Sequence, residues 1–138
     1  MRQMTTLLSI SAERQGLLEI TDRIMRWTDA QAVKVGLLTI FCRHTSASLL
    51  IQENAAAAVR TDLEKYFARI APADPSAYTH DDEGPDDMPA HIRTALTQVQ
   101  LSIPLIDGHL TLGTWQGIYF CEFDGPRNRE IWMKFIPG

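Results

Sequence analysis

At 138 residues, with 45% hydrophobic and 22% charged side chains, the chain is long enough to bury one core without disulfide or metal staples. Thirteen basic against seventeen acidic residues leave a formal charge of −4, which excludes a general nucleic-acid binder, since such a protein needs a basic face to neutralise phosphates. No apolar run approaches the ~20 residues of a membrane-crossing helix and the first ten residues lack a signal-peptide core, so no membrane partner and a cytoplasmic location are expected.

Residues 4–10 and 16–20 read as short strands, the second opening into a helical turn capped by Thr21 or Asp22. Ile24 and Trp27, three apart, share a face there. Residues 33–42 are β-rich and predict a strand, which the polar 43–48 stretch interrupts before Leu49, Leu50 and Ile51. Asn54 predicts the N-cap of a helix over 55–71 that Pro72 ends. Val59, Leu63, Tyr66, Phe67 and Ile70 recur at the helical period and predict its buried stripe.

A second helix is predicted over 88–98, with Pro89 in its first turn, where a missing N–H costs nothing. Met88, Ile92, Ala95, Leu96 and Val99 form its inward stripe, with His91 beside it. Asp107-Gly108 and Asp124-Gly125 are tight-turn signals that divide 100–106, 109–113, 116–124 and 130–136 into successive antiparallel strands. The pattern predicts one α+β domain over 1–138: a mostly antiparallel two-layer β-sheet or sandwich covered by two main helices. Cys42 and Cys121 sit inside apolar runs and read as buried, reduced thiols.

The chemistry concentrates between Tyr78 and His91. His80 and His91 bracket Asp81, Asp82, Glu83, Asp86 and Asp87, acids that repel one another unless a cation offsets them. The polar connection over 72–87 is longer than most loops in compact domains, and loops of that length usually carry function. Neutral imidazole is the commonest protein metal ligand, and Asp87 and His91 lie one helical turn apart. His44 is the third candidate, either a ligand or a histidine merely hydrogen-bonded at a strand end; His109 reads as a surface residue.

If His44, His80 and His91 converge, three imidazoles and a water make an open zinc-type site. Glu83, Asp86 or Asp87 would then orient the rings or ligate a harder ion such as magnesium, so a divalent ion, Zn or Mg, is expected. Trp115, flanked by Gly113 and Gly117, either stacks a flat ring or fills the core, and Gln116 can hydrogen-bond a ligand. Arg127 and Arg129 suit bidentate phosphate binding; alternatively they pair with Asp124 and Glu130.

Four segments together resemble the YjbQ family, whose members are usually labelled secondary thiamine-phosphate synthase enzymes. They are Arg43-His-Thr-Ser-Ala-Ser-Leu-Leu-Ile-Gln-Glu-Asn54, the block from His80 to His91, Asp107-Gly-His-Leu-Thr-Leu-Gly-Thr-Trp-Gln116 and Phe123-Asp-Gly-Pro-Arg127. The resemblance covers nearly the whole chain. It implies a compact α+β fold assembled as a homotrimer, with a site near subunit contacts. It also implies a weak transferase activity that joins a pyrimidine methyl diphosphate to a thiazole phosphate.

The positions that match the family pattern are His44, Thr45, Ser48, Glu53 and Asn54, then His80, Asp87 and His91, then Gly113, Thr114, Trp115 and Gln116, and last Asp124 and Arg127. On this reading His44, His80 and His91 hold the metal and form the catalytic set with Asp87 and Glu53, one of these two acids orienting a ligand. Thr45, Ser48, Asn54, Thr114, Trp115, Gln116 and Arg127 would bind a small phosphorylated metabolite. The same pocket also fits a metal-assisted phosphoester hydrolase, or a non-enzymatic module that holds a metal or anion.

Overall fold

Burial along the last strand shows how the larger sheet acquires a dry face. Arg129, Ile131, Met133 and Phe135 are buried while Asn128, Glu130, Trp132 and Lys134 are exposed, the period of two expected of a half-covered strand. In the computed structural model, which describes residues 2–138, this strand is β8 (Arg127–Pro137). Before it come β1 (Met4–Ala12), β2 (Gly16–Glu19), α1 (Thr21–Ala30), β3 (Gly36–Cys42), β4 (Ala47–Glu53) and α2 (Ala57–Ile70). A 3-10 turn at Pro75–Ala77 leads to α3 (Asp87–Ala95), β5 (Gln100–Ile106), β6 (His109–Leu110) and β7 (Gln116–Glu122).

All strand pairs are antiparallel. The larger sheet has the order β1-β8-β3-β5-β6 and the smaller one β2-β7-β4. The main core lies between them, built from Ile10, Leu38, Ile40, Leu49, Phe120 and Phe135 among others. β7 is covered on both faces, which is why it reads as an almost unbroken apolar run. Ile118 and Phe120 face the main core, whereas Tyr119, Cys121 and Phe123 meet Phe67 of α2 and Ala90 of α3 in a second cluster. The α+β fold with a two-layer antiparallel sheet is thus as expected.

Several local expectations are corrected. Residues 21–30 form a full third helix rather than a turn, and neither Thr21 nor Asp22 caps it. The Thr21 hydroxyl instead donates to Glu19 and accepts from the Ile118 N–H, tying the helix start to β7. α2 begins at Ala57, not after Asn54, because the Asn54 amide donates to Glu19 and Glu53 takes the Ala56 N–H. Tyr66 and Ile70 stay exposed, and Phe67 is the buried residue of that helix.

α3 buries Asp87, Ala90, Arg93 and Thr94 rather than the apolar stripe, leaving Leu96 58% exposed. The reason is Arg93, which donates to the carbonyls of Phe67 and Ala71 at the end of α2, the first of which also takes the Ala71 N–H. At the β5–β6 hairpin, Asp107 and Gly108 both take positive φ, 53° and 79°, as a two-residue turn of this hand requires. β6 is shorter than the predicted 109–113.

The Asp124-Gly125 segment is not a hairpin at all. β7 and β8 belong to different sheets, so residues 123–126 carry the chain from one layer to the other. Residues 43–46 make the same crossing between β3 and β4. The two crossings meet, with Phe123 N–H donating to the Ser46 carbonyl. That meeting point positions the site.

Candidate metal centre

Asp87 opens α3 and His91 follows one turn later, so both side chains lie on one face. His91 Nε2 stands 3.0 Å from Asp87 Oδ2. His80 arrives from the long connection and places its Nε2 2.8 Å from the same oxygen and 3.4 Å from Glu83 Oε2. One ligand atom from each of His80, Glu83, Asp87 and His91 lies within 4.8 Å of the others. Asp87 is buried at the base, and the His80 side chain, 41% exposed, faces solvent.

The protonation of His91 follows from its neighbours. Its Nδ1 lies 2.9 Å from the Thr45 carbonyl oxygen, which can only accept, so Nδ1 carries the hydrogen. In the neutral ring the lone pair then sits on Nε2 and faces Asp87 Oδ2, itself an acceptor. Two acceptors at that distance repel unless a proton or a metal ion lies with them.

Electrostatics agree. The hydrogen bond to Asp87 raises the His80 pKa above its ordinary value; desolvation opposes this, and Glu83 and Asp82 reinforce it. For Asp87, burial pushes the pKa up, but hydrogen bonds to His80 and Glu83 and the charge of His91 carry it below the usual aspartate value. Asp124 is held above its ordinary value by burial first, with Arg127 opposing and the charges of Asp87 and Asp86 adding. Arg127 donates to Asp124 Oδ2 at 2.7 Å.

His44 lies in a different setting. Its Nε2 accepts the Glu130 N–H at 3.1 Å, and Arg129 Nη1 stands 3.5 Å from Nδ1. Burial and then the Arg129 charge lower its pKa, so the ring is held neutral. Arg129, 4% exposed, grips Glu122, 1% exposed, through Nε–Oε1 at 2.8 Å and Nη2–Oε2 at 2.6 Å. Its Nη2 also donates to Ser46 Oγ at 3.0 Å.

Two expectations therefore change. His44 is outside the cluster of His80, Glu83, Asp87 and His91, and its Nε2 lone pair is taken by the Glu130 N–H. Arg129 pairs with Glu122, not Glu130, and is too deeply buried to reach a phosphate. An acid inside the apolar run of β7 was the available signal for that partner, since a buried carboxylate needs a cation.

The remaining predicted residues divide between two ends of the smaller sheet. Thr45 supplies its carbonyl to His91. Ser48 is fully buried, its hydroxyl against Thr97. Register places Ala47 beside Glu122 but Glu53 beside Gln116, six residues further, which is roughly 20 Å along a strand. At that far end, Glu53 and Asn54 make the bonds described above and Gln116 accepts from the Gly113 N–H. Trp115 is 63% exposed, so it does not fill the core, and Thr114 is exposed beside it. Glu53, Asn54, Thr114, Trp115 and Gln116 thus stand apart from the imidazole cluster within the chain. Burial pushes the Cys42 thiol up to about 11 and Cys121 up to about 12, so neither is a ready nucleophile.

A family model described as "UPF0047 protein YjbQ-like" matches residues 6–138. The chain is 47% identical over 131 residues to the UPF0047 protein sll1880 of Synechocystis, covering 94% of this chain and 89% of that protein. It is 42% identical over 116 residues to the UPF0047 protein YjbQ of Escherichia coli O157:H7, covering 83% of each. The crystal structure of a YjbQ/UPF0047 protein from Clostridium acetobutylicum superposes with a TM-score of 0.85 at 34% identity, covering 95% of this chain and 99% of that one. A Sulfolobus solfataricus structure, at 24% identity and a TM-score of 0.88, shares the fold and is described as a YbjQ-like protein of unknown function.

These relatives overturn the expected activity. They are named as UPF0047 or YjbQ-like proteins, and none of them is described as a thiamine-phosphate synthase or as a transferase. The burial of Arg129 removes one of the two guanidiniums considered for its phosphate groups.

Proposed function

The chain belongs to the YjbQ-like UPF0047 family, and within that frame we propose that it holds a divalent ion at His80, Glu83, Asp87 and His91 and acts as a metal-dependent enzyme on a small molecule. The observation that carries this reading is the His91 ring. Its Nδ1 hydrogen is committed to the Thr45 carbonyl, so its Nε2 lone pair converges with two carboxylates and His80 on one point. Metal-binding histidines are commonly fixed in this way by a main-chain acceptor.

Two imidazoles favour an ion of the zinc class over magnesium, which prefers oxygen ligands throughout. When bound, such an ion supplies Lewis-acid polarisation of a substrate oxygen. Exposure of His80 leaves the centre open to solvent on one side, as catalytic sites require.

Calorimetric titration of chelator-treated protein with zinc tests the reading. A single saturable site is expected, weakened at least ~100-fold by His91→Ala. Equal affinity in wild type, His91→Ala and Asp87→Asn would remove the centre.

A homotrimer and a cytoplasmic location belong to the same proposal. On the outer face of the larger sheet, Leu7 and Phe41 flank Trp132 from either side, and Leu37 lies between Ile136 and Pro104. Apolar patches of this kind mark protein contacts, and sedimentation of wild type against Trp132→Glu checks self-association. The two free, buried thiols suit a reducing compartment. Among the described residues no helix is long and apolar enough to cross a membrane.

A further inference from the structure

Where β1 ends and the chain turns into β2, a cavity of about 520 Å³ opens beneath α2. Its walls include Arg14, Leu17, Leu18 and Arg60. Arg60 lies with its guanidinium carbon 5.4 Å from the centre of the Tyr119 ring. Its Nε is buried and has no hydrogen-bond partner. A guanidinium is a donor at every nitrogen and always charged, so a buried N–H left unpaired is costly.

The other charges around the cavity do not fill that role. Glu122 lines it, but its oxygens already accept from Arg129 and the Asp124 N–H. Glu13 lies at the exposed rim. Arg14 reaches Glu64 only at 3.7 Å and is largely solvated, so that contact is a weak one. Gly16 also lines the cavity, at a φ of 140° that other residues rarely adopt.

We propose that this cavity binds a small organic anion, of carboxylate or phosphate monoester type, with its charged head on Arg60 and Arg14 and an apolar body against the exposed Leu18. Planar guanidiniums match such heads with paired N–H donors, and Leu18, exposed in the free protein, gains a partner. The site is separate from the metal centre, because none of His80, Glu83, Asp87 or His91 lines it.

Phenyl phosphate is the probe, with phenol as its neutral counterpart, followed by amide chemical shifts of the full chain with and without chelator. Saturable shifts centred on Leu17 and Leu18 are expected with phenyl phosphate and not with phenol. Arg60→Met, which keeps an apolar stem over Tyr119, should weaken binding about tenfold or more, with Arg60→Lys recovering part of the loss. His91→Ala and chelator should leave the affinity unchanged. Unaltered binding in folded Arg60→Met, equal shifts with phenol, loss of binding on chelation or in His91→Ala, or no saturation would each overturn the assignment.

Discussion

His44 and His91 both rest on main chain, and they use it in opposite ways. At His91 a carbonyl takes the Nδ1 hydrogen, which leaves the Nε2 lone pair aimed at carboxylates. At His44 an N–H occupies the Nε2 lone pair, and a buried arginine stands beside the other nitrogen. One ring therefore turns its lone pair toward carboxylates, while the other has its lone pair occupied by the main chain. The residue type is the same; the donor or acceptor character of what surrounds it decides the role.

The strongest way to break this contrast acts on the His44 side. Glu122→Gln leaves Arg129 buried without its counter-charge, and losing one partner of a buried pair costs about 3–5 kcal/mol. A fall in the thermal midpoint on the order of 10 °C is expected by calorimetry; an unchanged midpoint would show that the pair does not hold the layer crossings together.

A smaller effect is expected at the acidic cluster, and it separates the two histidines directly. Asp87→Asn should weaken zinc binding on the order of 100-fold, whereas His44→Gln should change it less than about threefold. Comparable losses in both variants would place His44 among the ligands after all.

The smallest effect is in proton affinity. In metal-free protein, imidazole titration by NMR should find His80 above the ordinary 6.5 and His44 below it. His80 then stabilises the fold fully below its unfolded value and loses that contribution as pH rises through its raised folded pKa. His44 does the reverse: its contribution is present above 6.5 and is lost as pH falls through its lowered pKa. Zinc affinity should decline on the acid side, because His80 must shed its proton to ligate.

Much of this arrangement was legible before folding, wherever information is local. The strand over 130–136, the Asp107-Gly108 turn and the one-turn spacing of Asp87 and His91 all reappear in the structure. What escaped was set by partners distant in sequence. Asn54 looked like a cap, but Glu19, thirty-five residues earlier, claims its amide. The face of α3 was misjudged because Arg93 closes the end of α2, a demand no apolar stripe records. His44 reads from sequence either as a ligand or as a histidine hydrogen-bonded at a strand end, and the two layer crossings that bring Arg129 and Glu130 against it favour the second.

Diffraction data collected at the zinc absorption edge from zinc-soaked crystals test the central claim most directly. An anomalous peak is predicted about 2.0–2.2 Å from His80 Nε2, His91 Nε2 and an Asp87 oxygen. No peak there, or one bound to His44 instead, would contradict it.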